Sequence, residues 1–207
     1  MAKLLYIESS PRKARSKSIE VSKAFVDAYR SANPEDEVET MDLWSIKLPE
    51  FDGFTIDAKY QVLHGQEFDS AQAEAWQAVV DVCDSFKAAD KYLFSVPMWN
   101  FGVPYKLKHF VDVIAQPGQT FSFDPATGYN GLVTGKPAVV VSSRGGAYTG
   151  DAEAMDHQKP YVEQILGFFG FTEIHQVVIE PTLAGPDDVA STVSSAIDEA
   201  KAIASRL

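Results

Sequence analysis

Five times along this chain a short strand-like run is followed by a stretch whose apolar residues recur at helical spacing. Leu4 to Ile7 precedes a stripe of Val21, Phe25 and Ala28. The segment Glu37 to Asp42 precedes Trp76, Val79, Val80 and Cys83. Lys91 to Val96 precedes Leu107, Phe110, Val111 and Ile114. Ala138 to Val141 precedes Val162, Ile165, Leu166 and Phe169, with Gly170 to end the helix. Ile174 to Ile179 precedes Val189, Val193, Ala196, Ile197 and Ala200. Spacings of i, i+3, i+4 and i+7 mark one face of a helix, and short uninterrupted apolar runs mark strands covered on both sides. Alternating strands and helices give an α/β fold, a three-layer doubly wound sheet of five parallel strands. Five strands favour the order 2-1-3-4-5, the flavodoxin-like arrangement. The second strand alternates Val38 and Thr40 with charges, which places it near a sheet edge.

The chain has 207 residues, enough for one sizeable domain over 1–207. Two segments do not fit the repeat. Residues 44–70 read as irregular, and residues 115–135 read as a hairpin or flap. The net charge of −11 argues against a nucleic-acid partner or an anionic membrane surface. No apolar stretch approaches the ~20 residues of a spanning helix. The opening run is too short for a signal peptide, so a cytoplasmic setting is expected. Cys83 is the only cysteine, which excludes a disulfide framework and a cysteine-based metal site. The four histidines show no metal spacing, and no metal is expected.

In a sheet of this order, ligands bind beyond the carboxyl ends of the strands, where the order reverses. The loops leaving the first, third and fourth strands are therefore the candidates. The first is SSPRKARSKS, residues 9–18. One serine suffices to cap a helix, yet Ser9, Ser10, Ser16 and Ser18 all stand here. Arg12, Lys13, Arg15 and Lys17 gather at the same helix start, where cations are disfavoured by ~0.3–1 kcal/mol each. A bound phosphate reverses that penalty. The loop carries neither GxxxxGK[ST] nor GxGxxG. The second candidate is PMWNF, Pro97 to Phe101. A turn with alternating directions cannot bury Met98, Trp99 and Phe101 in one core. Such a cluster suits the wall of a flat aromatic ligand's site, with Asn100 offering a donor and an acceptor to a heterocycle edge. The third is SSRGG, Ser142 to Gly146, where Gly145 and Gly146 allow close backbone approach or positive φ. A phosphate cradle, an aromatic wall and a glycine-lined edge together describe a mononucleotide with a flat ring, and FMN fits best.

These motifs resemble the FMN-dependent NADH:azo/quinone oxidoreductases, a flavodoxin-like family, over nearly the whole chain. The resemblance rests on Ser10 with Ser16-Lys17-Ser18, on Pro97 to Phe101, and on Ser143 to Gly146. It also rests on GLVTGK, Gly131 to Lys136, and LGFFG, Leu166 to Gly170. It implies that Ser10, Ser16, Lys17 and Ser18 hold the FMN phosphate. It implies that Pro97, Met98, Trp99, Asn100 and Phe101, with Ser143, Arg144, Gly145 and Gly146, flank the isoalloxazine. Lys17 stands where the family often has Gln, and Trp99 replaces a common Tyr. Residues 51–70 are longer than the family minimum. The family further implies a homodimer with sites at the subunit interface, to which aromatics such as Phe121, Phe123 and Phe168 contribute. The implied reaction uses NADH or NADPH to reduce quinones or azo compounds, by two-electron hydride transfer through the flavin N5 with ping-pong kinetics. No protein acid or base is required, because the cofactor carries the chemistry.

Other phosphate chemistries fit less well. A thiol phosphatase needs Cys-x5-Arg after the first strand; Cys83 sits on a helix stripe and Ala89 occupies the Arg position. No G-x-S-x-G elbow exists. A receiver-type phosphoacceptor site would be acidic, and this loop is basic. The second class that remains open is a flavodoxin-like electron carrier, which binds FMN without turning over NAD(P)H. Carriers have a Thr/Ser-Gly-rich phosphate loop, whereas residues 9–18 are basic.

Overall fold

The computed structural model describes residues 1–67 and 69–207. Seven strands and six α-helices are present among them. The strands are β1 (Lys3–Glu8), β2 (Glu37–Asp42), β3 (Lys91–Pro97), β4 (Phe121–Asp124), β5 (Gly128–Gly131), β6 (Ala138–Ser143) and β7 (Ile174–Ile179). The helices are α1 (Lys17–Ala32), α2 (Gly53–Leu63), α3 (Ser70–Lys87), α4 (Tyr105–Ile114), α5 (Lys159–Phe169) and α6 (Pro186–Ala204). The main sheet runs β2-β1-β3-β6-β7 with every pair parallel. This is the five-stranded order expected from the alternating pattern.

Side-chain alternation splits the sheet into two cores. Leu5, Ile7, Tyr92, Phe94 and Val140 face one way and pack under α3, α4 and α5. Leu4, Tyr6, Leu93, Val139 and Val177 face the other way, under α1 and α6. Every residue of β6 is buried, as an inner parallel strand requires. In β2 only Met41 is buried, which fits its edge position. The aromatic centre of the first core is Phe86, fully buried near the end of α3. Its ring lies 4.9 Å from Tyr92, 5.8 Å from Phe110 and 6.1 Å from Phe169. It thereby joins α3, β3, α4 and α5.

The segment 44–70 is not wholly irregular: α2 occupies 53–63, and Phe68 within it lies outside the described residues. Asp52 caps α2 by accepting from the Thr55 N–H at 3.0 Å. The helix buries only Thr55 and Ala58, while Phe54, Tyr60 and Leu63 stay exposed. With so narrow a buried face, no apolar stripe marks it in the sequence. Residues 115–135 contain β4 and β5, an antiparallel pair with Phe121 opposite Gly131.

Two motifs are explained as halves of one contact. A Cβ built on Gly131 would fall 2.3 Å from the Gly170 nitrogen. Gly170 itself adopts φ 110 at the end of α5. The Val133 N–H donates to the Phe169 carbonyl at 2.8 Å beside them. Further along, Lys136 Nζ donates to the carbonyls of Lys87 at 2.6 Å and Ala89 at 2.5 Å. A cation there closes the carbonyl end of α3. Gly131→Ala is expected to force the hairpin off α5 and to destabilise the protein by about 1–3 kcal/mol. Chemical denaturation of the variant checks this, and an unchanged midpoint would contradict the contact.

Candidate active site

Parallel register brings the carboxyl ends of β1, β3 and β6 to one edge. Glu8 stands beside Ser95, and Pro97 beside Ser143. The loops that follow are stitched together there. Ser9 donates its N–H (3.2 Å) and hydroxyl (2.6 Å) to the Ser95 carbonyl. The Met98 N–H donates to the Ser143 carbonyl at 2.8 Å.

Ser10, Ser16 and Ser18 are all buried in the first loop. Ser16 is the N-cap of α1, its hydroxyl accepting from the Ile19 N–H at 3.5 Å and lying 3.1 Å from the Ser18 hydroxyl. Hydroxyls and free N–H groups at the start of a 16-residue helix form an anion-binding arrangement. The four cations of this loop do not act alike. Lys17 pairs with Glu20 at 2.8 Å on the helix surface. Lys13 turns back to Glu8 at 3.0 Å and Asp42 at 2.5 Å. Arg12 and Arg15 are exposed.

The second loop is a two-residue turn. Trp99 and Gly102 exchange backbone hydrogen bonds, each 3.0 Å. Asn100 and Phe101 between them have φ 47 and 69. Two consecutive positive φ values define a type I′ turn, common for Asn and Gly and strained for Phe. Such strain persists where the surroundings enforce it, and it concentrates at ligand sites. This conformation holds the Phe101 ring out of the core: it is 46% exposed and meets Tyr148 edge-on. Met98 and Trp99 are half-buried. The turn is braced from outside, since the His157 N–H donates to the Phe101 carbonyl at 2.9 Å.

Trp44 is a member of the site that the sequence reading missed. Its indole N–H donates to the Ser9 carbonyl at 2.9 Å. Its ring lies 5.8 Å from Trp99 and 5.2 Å from Tyr105. One side chain thus ties the serine loop to the aromatic wall. The available signal was a lone tryptophan just after a strand, in a segment with no motif. Beside Trp99 opens a cleft of about 710 Å³, walled by Phe51, Trp99, Asn100, Val103, Tyr105 and His109 together with the charged Glu50, Asp52, Lys108 and Asp112. The serines of the first loop and Ser143 to Gly146 do not line it.

The third loop departs from expectation in two respects. Neither Gly145 nor Gly146 has positive φ. The close approach at Gly145 is to Leu183, whose Cδ1 would lie 2.9 Å from an added Cβ. The Arg144 side chain is buried and turned inward. It meets Asp156 at 2.9 Å, Gln158 at 3.0 Å and Glu180 at 3.4 Å. Gln158 in turn donates to the Val96 carbonyl at 2.8 Å. Arg144 therefore braces β6 and, through Gln158, the end of β3. Phe121, Phe123 and Phe168 sit elsewhere, in an aromatic cluster with Tyr129 on the hairpin and α5. They do not line the cleft at Trp99.

Electrostatics sharpen these assignments. Burial pulls the Lys13 ammonium down and the Asp42 carboxyl up, but the bonds of Lys13 to Asp42 and Glu8, and of Asp42 to Lys13, Ser45 and Trp44, outweigh it. Lys13 titrates above its ordinary value and Asp42 below. Burial pushes the Cys83 thiol up to about 12, consistent with a core residue. His109 bonds the Pro49 carbonyl at 2.8 Å and His175 bonds Glu173 at 2.9 Å. Among the described residues no group of three or more His, Cys, Asp or Glu could hold a metal.

This fold and the loops at its carboxyl edge define a class. Residues 2–204 match a family described as having a flavodoxin-like fold. An FMN-dependent NADH:quinone oxidoreductase of Desulfotalea psychrophila is 48% identical, over 100% of this chain and 98% of its own. That of Nitratidesulfovibrio vulgaris is 49% identical, over 99% of each. The crystal structure of an azoreductase from Bacillus anthracis superposes with a TM-score of 0.92 at 29% identity, covering 100% of both chains. The chain belongs to this flavodoxin-like family of FMN-dependent NADH:quinone oxidoreductases. Among the described residues no helix is long and apolar enough to cross a membrane.

A carboxyl held below its unfolded pKa contributes stability above that unfolded value, near 4, and loses it as pH falls through the lowered one. Asp42→Asn is therefore expected to flatten the acid limb of the stability curve below about pH 4. Thermal melts of both proteins across that range test it, and parallel curves would refute the role given to Asp42.

Proposed function

We propose that this protein is an FMN-dependent NADH:quinone oxidoreductase that also reduces azo compounds. The observation that carries the reading is the tie made by Trp44. A buried-hydroxyl loop at a helix N-terminus and a strained aromatic turn stand at one sheet edge, joined by a single side chain. The residues fit FMN. Ser10, Ser16 and Ser18 would hold its phosphate at the start of α1, with Arg12 and Arg15 adding charge at the rim and Lys17 at the first position of the helix. Met98, Trp99, Asn100 and Phe101 would flank the ring on one side, and Ser143 with Gly145 and Gly146 on the other. Pro97 and Arg144 fix the strand ends that carry them. The N–H groups of Asn100 and Phe101 lie outside the turn's own reciprocal bonds, and are available to a heterocycle edge. Bound FMN would supply the redox chemistry, taking a hydride from NADH at N5 and passing two electrons to the acceptor in a ping-pong cycle. The chain contributes binding, orientation and exclusion of water, with no protein acid or base.

The same reading has the protein act as a cytoplasmic homodimer. The support is the aromatic face formed by Phe121, Phe123, Tyr129 and Phe168, where Phe123 is 59% and Tyr129 65% exposed. Exposed aromatics clustered in this way mark an interaction surface. A partner's aromatics would complete the pocket, and gel filtration is expected to give twice the chain mass.

Purified protein is expected to be yellow and to bleach rapidly on mixing with NADH under argon. Quinone should restore the colour. A preparation that stays colourless with added FMN would remove the reading. Bound flavin that NADH does not reduce would favour an electron carrier instead. Removing the hydroxyls with Ser16→Ala and Ser18→Ala is expected to lower FMN content at least tenfold, each lost charge-assisted bond being worth about 1.5–3 kcal/mol. Full flavin content in the double variant would refute the phosphate assignment.

A further inference from the structure

We infer that Lys13 is a positioning residue for the phosphate loop, acting through a bridge to Glu8 and Asp42; the inference rests on the FMN reading above. Lys13 adopts φ 48, a conformation disfavoured for a residue with a Cβ. Something must hold it there. Its ammonium lies 3.0 Å from Glu8 Oε2 and 2.5 Å from Asp42 Oδ1, at the carboxyl ends of β1 and β2. Asp42 is itself fixed, accepting from the Trp44 N–H at 3.1 Å and from the Ser45 hydroxyl.

The bridge reaches the serines through the backbone. The Lys13 carbonyl accepts from the Ser16 N–H at 2.9 Å. Ser16 caps α1 and meets the Ser18 hydroxyl. The orientation of Lys13 therefore sets the two hydroxyls assigned to the phosphate.

Charge gives a second reason. Glu8 is buried, with 8% of its surface exposed. A buried carboxylate without a cation is costly, and here it would stand beneath a loop meant for a dianion. Lys13 offsets one of the two carboxylate charges it bridges, while Arg12 and Arg15 stay exposed at the loop surface. The loop thus separates its cations by task. Lys13 neutralises and tethers from below, and the arginines stand at the rim.

The test compares FMN with riboflavin, which lacks the phosphate. Full-length protein stripped of flavin is titrated with each by fluorescence. Wild type is expected to prefer FMN. Lys13→Asn tolerates positive φ but has no ammonium. It is expected to lower the ratio of FMN to riboflavin affinity about tenfold, with riboflavin affinity changed little. Lys13→Arg, which can span the two carboxylates, is expected to restore most of the ratio. If Lys13→Asn does not fold, Lys13→Gly gives the same comparison with the backbone unstrained. A ratio in Lys13→Asn or Lys13→Gly equal to wild type overturns the inference while leaving the phosphate site intact. A wild type without preference for FMN overturns both.

Discussion

In the middle of the sheet, β1, β3 and β6 hydrogen-bond in parallel and bury apolar side chains on both faces. Strands covered this completely can present polar groups only where they end. Parallel direction puts three such ends side by side, and right-handed crossovers put a helix start next to the first. The rest of the site follows from that placement. Serine hydroxyls collect at the helix start, a reversed turn closes β3, and the β6 loop is held from below by the Arg144 cluster.

The polar braces are as local as the apolar core is extended. Ser9, Trp44, Gln158 and Lys136 each tie a loop or a helix end to a backbone carbonyl of a neighbouring element. These contacts occupy backbone carbonyls where chain segments change direction. They also explain why the loops can hold strained conformations such as that of Phe101. A reversed turn surrounded by fixed neighbours has no cheaper state to relax into.

The fold was legible because buried parallel strands and one-sided helices write their periods plainly. The stripes at Val79 and Cys83, or Val162, Leu166 and Phe169, are direct imprints of burial. Helix α2 left no such imprint, because it buries only two residues. At the candidate site, Ser10, Ser16, Ser18 and the PMWNF turn stand out because their residue types are odd for their positions. Trp44 does not, since its importance lies in three long-range contacts that no local pattern encodes. Arg144 is the opposite case. It stands within a motif, but its guanidinium is committed to Asp156, Gln158 and Glu180, residues remote in sequence. Of the two glycines in the same loop, read as allowing close backbone approach or positive φ, neither has positive φ, and the close approach at Gly145 is to Leu183.

The backbone-to-backbone seat of Gly131 on Gly170 has a mechanical side. Two main chains meeting without side chains between them leave no soft layer to absorb displacement. The hairpin and the end of α5 therefore move as one plate, and the aromatic rings they carry keep a fixed spacing. A surface rigid before any encounter loses little freedom when something settles on it.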